Sequence, residues 1–266
     1  MNKVLGFIGC GNMGSAMVGG IIKSGIISAE NIIVSDIVEQ SIKGLKDKFG
    51  INTALTNKEV VERADIVVLA VKPFMYEKVI KEIRDNIKDT ALIVTIAAGV
   101  GIGKVREWFG KDIKIVKTMP NTPALVGEGM SAVCPSEGVS EEEIQEILNI
   151  FSAFGKAELL EEKDFHAFTA LCGSSPAYVF MFIEAMADSA VKMGIPRKKA
   201  YNLAAQAVLG SAKMVLETGM HPGELKDMVC SPGGTTIEAV LEFEKRGFRA
   251  AVMNGMEKCE QKSKNM

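Results

Sequence analysis

Histidine is scarce in this chain, cysteine is unpaired, and charge favours neither sign, and each shortage closes off a class of function. Only His166 and His221 occur, and neither has a cysteine or a second histidine at ligand spacing, so no metal site is expected. Cys10, Cys134, Cys172, Cys230 and Cys259 are odd in number and contain no C-x-x-C pair, so they read as reduced thiols. Basic side chains number 31 and acidic ones 33, a net charge of −2. They are dispersed, which leaves no footprint for nucleic acid. The start of the chain lacks a basic segment followed by an apolar stretch and a cleavage site, and no run reads as a membrane span. The expected setting is the cytoplasm, without membrane attachment. Repeats, low-complexity tracts and long linkers are missing too.

What is present suits a globular protein of one large or two modest domains, with 266 residues of which 47% are apolar. The first half alternates β-type runs with helical patterns, the mark of a doubly wound parallel sheet. Strands are expected at Val4–Ile8, Asn31–Ser35, Ile51–Thr53, Ile66–Ala70, Leu92–Ile96, Ile113–Lys117 and Met130–Cys134. Helices are expected at Ile42–Phe49, Lys58–Arg63, Glu77–Ile87 and Glu141–Phe154. Near Ala157–Glu162 the character changes, and only helical patterns follow: Lys163–Leu171, Ala177–Met193, Arg197–Glu217, Gly223–Met228 and Ile237 onward. The reading is therefore an α/β dinucleotide-binding domain over 1–160 and an all-helical domain over 161–266. The late helices are apolar on more than one face, so a homodimer through that region is expected.

The chemistry begins where the first strand meets Gly9-Cys10-Gly11-Asn12-Met13-Gly14. Alone, G-x-G-x-x-G is a weak signal. Here an apolar strand precedes it, a helical pattern follows, and Asp36 ends the second strand. Gly9 permits the tight turn, Gly11 lets backbone approach a pyrophosphate, and Gly14 lets helix pack on strand, with the helix N-terminus favouring phosphate. In open parallel sheets ligands sit beyond the strands' carboxyl ends. Three further segments lie there: Ala70-Val71-Lys72-Pro73, Ala97-Ala98-Gly99, and Met119-Pro120-Asn121-Thr122-Pro123, the last read as a stiff loop. A fourth, Ser231-Pro232-Gly233-Gly234-Thr235-Thr236, precedes a helix in the second region. Thr235 and Glu238 have capping-box spacing, and the free amides there suit a small carboxylate.

These segments, with Gly127, Gly129, Gly173-Ser174-Ser175-Pro176-Ala177-Tyr178 and His221-Pro222-Gly223-Glu224-Leu225, closely resemble pyrroline-5-carboxylate reductase over nearly the whole chain. Lys117 stands where that family commonly has arginine, and Ser175 where glycine is frequent. The resemblance implies reduction of 1-pyrroline-5-carboxylate to L-proline with NADPH or NADH, the last step of proline synthesis. It implies Thr236 as the catalytic hydroxyl, Gly233, Gly234, Thr235 and Thr236 around the substrate, and a pocket at a dimer interface, with larger rings of dimers as an extension. The coenzyme residues are then Gly9, Gly11, Asn12, Met13, Gly14, Ser35, Asp36, Ala70, Val71, Lys72, Pro73, Ala97 and Asn121. Asp36 favours NADH, since a carboxylate accepts from a ribose 2′-hydroxyl and repels a 2′-phosphate; the family tendency is toward NADPH.

Two alternatives compete. A 3-hydroxyacid dehydrogenase of the same layout would place a lysine, and an asparagine four residues on, along the first long helix after the sheet; Phe180, Met181 and Glu184 stand there, with no lysine until Lys192. A dinucleotide-binding sensor without catalysis is the other, since fold alone proves no activity. His221 reads as a capping or packing residue, Cys230 as packing, and Tyr178 as core first and ligand second.

Overall fold

The computed structural model describes residues 3–265. The chain forms two compact units, one running to Gly173 and rejoined from Glu260, the other Ser174–Cys259. The division by packing thus falls beyond residue 160, because Phe165, Phe168 and Ala170 are buried and the two phenylalanines join the core of the first unit.

In the first unit the apolar runs become β1 (Leu5–Ile8), β2 (Ile32–Ser35), β3 (Asn52–Thr53), β4 (Ile66–Leu69), β5 (Leu92–Thr95), β6 (Lys114–Pro120), β7 (Gly129–Pro135) and β8 (Gly155–Leu159). They form one sheet in the order β3-β2-β1-β4-β5-β6-β7-β8. Every pair is parallel except β6 with β7. Between them run α1 (Asn12–Ser24), α2 (Glu39–Phe49), α3 (Asn57–Arg63), α4 (Tyr76–Ile83), α5 (Ile102–Phe109) and α6 (Glu141–Ser152), followed by the short α7 (Phe165–Phe168). Because side chains alternate along a strand, each strand feeds two cores. Ile33, Val67, Ile93 and Ile115 meet α3, α4 and α5 on one face. Val34, Val68, Val94 and Val116 meet α1, α2 and α6 on the other. Burial on both faces is why these strands read as unbroken apolar runs.

Several sequence expectations are corrected. β6 extends through Met119 and Pro120, which pair with Ala132 and Ser131, so the loop starts at Asn121. The edge strand β8 was not expected, because its residues are largely exposed and carry no buried alternation. Nor was α5, a short helix flanked by Gly101 and Gly110.

The second unit contains α8 (Ser175–Lys192), α9 (Arg197–Thr218), α10 (Pro222–Val229), α11 (Thr235–Lys245) and most of α12 (Phe248–Lys264). The helix expected from Ile237 onward is broken at Gly247, which turns with φ of 74°. His221 caps α10 as read, its Nδ1 accepting from the Gly223 N–H at 3.0 Å. Within this unit the only buried residues are Ala187, Ala200 and Ala204. Phe180, Met181, Leu203, Leu216, Leu241 and Phe243 are all exposed. One expectation about membranes is also corrected: the stretch Glu162–Lys192 is long and apolar enough, by length and composition, to cross a bilayer. The sequence reading ended one helix at Leu171 and began the next at Ala177, whereas a π turn occupies Thr169–Gly173 and α8 begins at Ser175.

Candidate active site

The site in the first unit is set by how closely α1 sits on the end of β1. Gly9 has φ of 95°, and a Cβ there would lie 2.8 Å from the Ala70 carbonyl oxygen. A Cβ at Gly14 would lie 2.7 Å from the Gly9 carbonyl oxygen. At Gly11 the same atom would meet nothing within 4 Å, so this backbone borders open space. Gly11 is the N-cap of α1 and supplies no side-chain hydrogen bond. The first amides of the helix therefore have no side-chain cap, and the helix dipole adds positive character, which together fit a pyrophosphate.

The turn is held from behind. The Gly9 N–H donates to the Ser35 carbonyl at 2.8 Å, and Ser15 Oγ donates to the Cys10 carbonyl at 2.7 Å. Asp36 Oδ2 accepts from the Cys10 N–H at 2.6 Å and Oδ1 from the Val38 N–H at 2.8 Å. The carboxylate thus braces the glycine turn, and each oxygen retains a lone pair for a further donor. Burial, and then the nearby Asp36 charge, push the Cys10 thiol up to about 12. It is a packing group, not a nucleophile.

A cavity of about 720 Å³ opens across the carboxyl ends of these strands. Gly9, Gly11, Asn12, Met13, Asp36, Ala70, Val71, Lys72, Pro73 and Ala97 all line it. Gly14, Ser35 and Asn121 are not among its lining residues. Ser35 Oγ donates to Asn57 Oδ1 at 2.8 Å, and it is Asn57 that faces the cavity. Asn121 uses both ends of its amide in the scaffold, accepting from the Met130 N–H at 2.8 Å and donating to the Cys172 carbonyl at 2.9 Å. Sequence reasoning missed Asn57, Ile37 and Phe74 among the lining residues. Asn57 had a usable signal, because Thr56 caps α3 just past the carboxyl end of β3. Ile37 and Phe74 had only their proximity to Asp36 and Pro73.

The candidate segment of the second unit keeps its expected place ahead of a helix. Gly234 is the N-cap of α11 and no side chain caps it. The capping box between Thr235 and Glu238 does not form, because Thr235 lies inside the first turn and not at the cap. The Gly234 N–H donates to the Ser231 carbonyl at 3.0 Å, closing the turn that presents the helix start. Thr236 is half-buried in that first turn.

A doubly wound sheet, an uncapped helix start over a glycine turn and a cavity along the strand ends define a nicotinamide-dinucleotide oxidoreductase domain. Residues 4–99 match the family model described as NADP oxidoreductase, coenzyme F420-dependent, and residues 162–266 match the model for pyrroline-5-carboxylate reductase dimerisation. The pyrroline-5-carboxylate reductase of Escherichia coli (strain K12) is 54% identical over 266 residues, covering 100% of this chain and 99% of the relative. Among solved structures, a pyrroline-5-carboxylate reductase from Coxiella burnetii aligns with a TM-score of 0.94 at 32% identity, covering 100% and 98% of the two chains. Plasmodium falciparum pyrroline carboxylate reductase with NADP bound aligns with a TM-score of 0.89 at 37% identity, covering 99% and 98%. The chain belongs to the pyrroline-5-carboxylate reductase family.

The close seat of α1 yields a direct test. Gly14→Ala forces a methyl against the Gly9 carbonyl, and overpacking of this kind costs about 1–3 kcal/mol. Taken up at the helix start, that corresponds to a loss of about five- to 150-fold in coenzyme affinity. Calorimetric titration with coenzyme should show it while circular dichroism stays unchanged; unaltered affinity in a folded variant would refute the role given to this contact.

Proposed function

We propose that this chain reduces 1-pyrroline-5-carboxylate to L-proline with NADH or NADPH, the final step of proline synthesis. The observation that carries the reading is the pairing, in one chain, of an uncapped glycine-turn helix start with a second uncapped helix start bearing Gly233-Gly234-Thr235-Thr236. The first suits a dinucleotide and the second a small carboxylate.

When bound, the reduced nicotinamide supplies the hydride for the electrophilic carbon of the cyclic imine. The protein's own task is chiefly orientation, which at best contributes about 7–11 kcal/mol to lowering such a barrier. The backbone around Gly233, Gly234 and Thr235 receives the substrate carboxylate. Thr236 holds a hydroxyl toward the ring nitrogen, directly or through a water. That nitrogen gains basicity as the carbon is reduced, so a weak donor suffices where a carbonyl would demand a stronger acid. Asp36 stands at the ribose end of the cavity and favours NADH by its charge. The NADP bound by the Plasmodium relative argues for the other coenzyme.

The second unit's exposed apolar helices support a homodimer, since a helical unit that buries only three alanines leaves a surface that water does not favour. In the same reading each pocket joins the nucleotide-binding unit of one subunit to helical residues of its partner, and dimers assemble further into rings. The described cysteines are all free thiols, in keeping with a cytoplasmic setting. A coenzyme-binding sensor is the alternative that turnover would eliminate.

Three experiments follow from this reading. Purified protein given 1-pyrroline-5-carboxylate should consume reduced coenzyme and form proline, with kcat/KM higher for NADH. Coenzyme binding without turnover would favour the sensor, and a clear advantage for NADPH would show that Asp36 does not govern the choice. Thr236→Ala should lower kcat by about 10²–10⁴-fold, the usual worth of a positioned proton donor, with coenzyme affinity unchanged. An unchanged kcat in a folded variant would take Thr236 out of the reaction. For the shared pocket, chains carrying Gly11→Asp and chains carrying Thr236→Ala are each expected to be inactive, and subunit exchange should restore activity. In a hybrid, one pocket carries both defects and the other neither; hybrids that form and stay inactive would sink the shared-site idea.

A further inference from the structure

We infer that Tyr76 is a positioning residue for the nicotinamide half of the coenzyme site, its hydroxyl replacing the last sheet hydrogen bond between β4 and β5 and so setting the width of the cleft. The inference rests on reading the first unit as a nicotinamide-coenzyme site. With the glycine turn at the end of β1 and Asp36 at the end of β2, the adenosine side lies over β2. The nicotinamide side then lies over β4 and β5, across the point where strand order reverses.

The ladder itself shows the substitution. The Leu92 N–H donates to the Asp65 carbonyl at 3.0 Å, and parallel rungs from one strand recur at every second residue. After Val94, the next rung would carry the Ile96 N–H to the Leu69 carbonyl, the residue of β4 in register with Thr95. That rung is not made directly. The Ile96 N–H donates instead to Tyr76 Oη at 3.1 Å, and Tyr76 Oη donates to the Leu69 carbonyl at 2.5 Å. One hydroxyl stands between the strands, so both backbone groups stay satisfied while the ends are held farther apart than a single hydrogen bond allows.

The residues just beyond this insertion are Ala70 to Pro73 on one strand and Ala97 and Ala98 on the other, all lining the cavity. The Tyr76 side chain is fully buried at the start of α4, and burial pushes its hydroxyl well above the ordinary range, so it stays protonated and keeps donating. The far end of the β5 segment is fixed as well. Glu162 Oε1 accepts from the Ile102 N–H at 2.8 Å and from Lys117 Nζ at 3.1 Å. Ile96 to Ile102 is therefore held at both ends by side chains from outside it, and Tyr76 acts at the end nearest the β4 wall.

The test compares two ligands on the full-length protein: NADH, and ADP-ribose, which has the adenosine, pyrophosphate and second ribose but no nicotinamide. In Tyr76→Phe the Ile96 N–H and the Leu69 carbonyl can close on each other and narrow the cleft. NADH affinity is expected to fall about tenfold, the scale of one displaced buried hydrogen-bonded contact, while ADP-ribose affinity stays unchanged. A purely structural role would lower the Tm and move both affinities together, or neither, and either result overturns the inference. If Tyr76→Phe does not fold, 4-aminophenylalanine at position 76 keeps a donor for Leu69 and accepts poorly from Ile96. A smaller but still selective loss of NADH affinity supports the inference, and equal changes for both ligands refute it. The wild-type protein keeps the two ideas apart: if it binds both ligands but never turns over 1-pyrroline-5-carboxylate, the proposed reaction fails while the Tyr76 comparison still stands.

Discussion

The contact on which the first unit depends is the seat of α1 against the turn after β1. With no side chain at Gly14, the helix comes close enough that any Cβ would lie 2.7 Å from the Gly9 carbonyl oxygen. That approach directs the helix start, and its uncapped amides, at the cavity. It also places Met17, Val18 and Ile21 in the core that covers one face of the sheet. Moving α1 outward would damage core and anion site together, so packing and binding are here one constraint. Asp36 belongs to the same constraint. By accepting from the Cys10 and Val38 amides it holds the turn's shape, so its removal would disturb the turn itself.

The two units solve burial in opposite ways. The sheet is closed on both faces by its own helices, and large side chains such as Phe7, Phe151 and Tyr76 are fully buried. The helical unit buries three alanines and leaves large apolar side chains in water. Its internal aromatic contacts are few; Phe248 lies 6.1 Å from Phe182 and 5.8 Å from Phe243 between ring centroids. The apolar area such residues expose is worth about 25 cal/mol per Å² once covered. A unit of this composition therefore gains its stability by association, in accord with the dimerisation model that residues 162–266 match.

Most of the sheet was legible because strands buried on both faces write continuous apolar runs, and Leu92–Thr95 or Ile66–Leu69 can hardly be read otherwise. β8 was not, since Lys156, Glu158 and Leu159 face solvent on an edge and leave no periodic record. The glycine turn and most of the cavity lining were readable from position alone, one segment after each strand. Asn121 was placed on the coenzyme because its loop follows a strand's carboxyl end and matches the family's motif. In the fold its amide is spent on the Met130 amide and the Cys172 carbonyl, long-range partners that no local pattern announces. Tyr76 was invisible for the same reason, since a tyrosine at a helix start signals nothing about a hydroxyl lodged between two strands.

Side chains cap some of the described helix starts and not others. Thr56, Ser140 and His221 cap α3, α6 and α10 with their own side chains, and Glu162 caps α5 from across the fold. α2, α4, α7, α8 and α9 have no side-chain cap either but start from other residues, whereas α1 and α11 combine a glycine N-cap with none. An uncapped start exposed to water costs little, because water takes the free amides. It also preserves a positive helix end that a capping oxygen would have occupied. The sequence could have written serine or aspartate at either position, as it does elsewhere. Glycine at both leaves two helix starts that no side-chain oxygen occupies, in a chain of small net charge. In the function proposed above, such starts let backbone carry the recognition of anions without a cluster of arginines, and the side chains are left to fix the backbone.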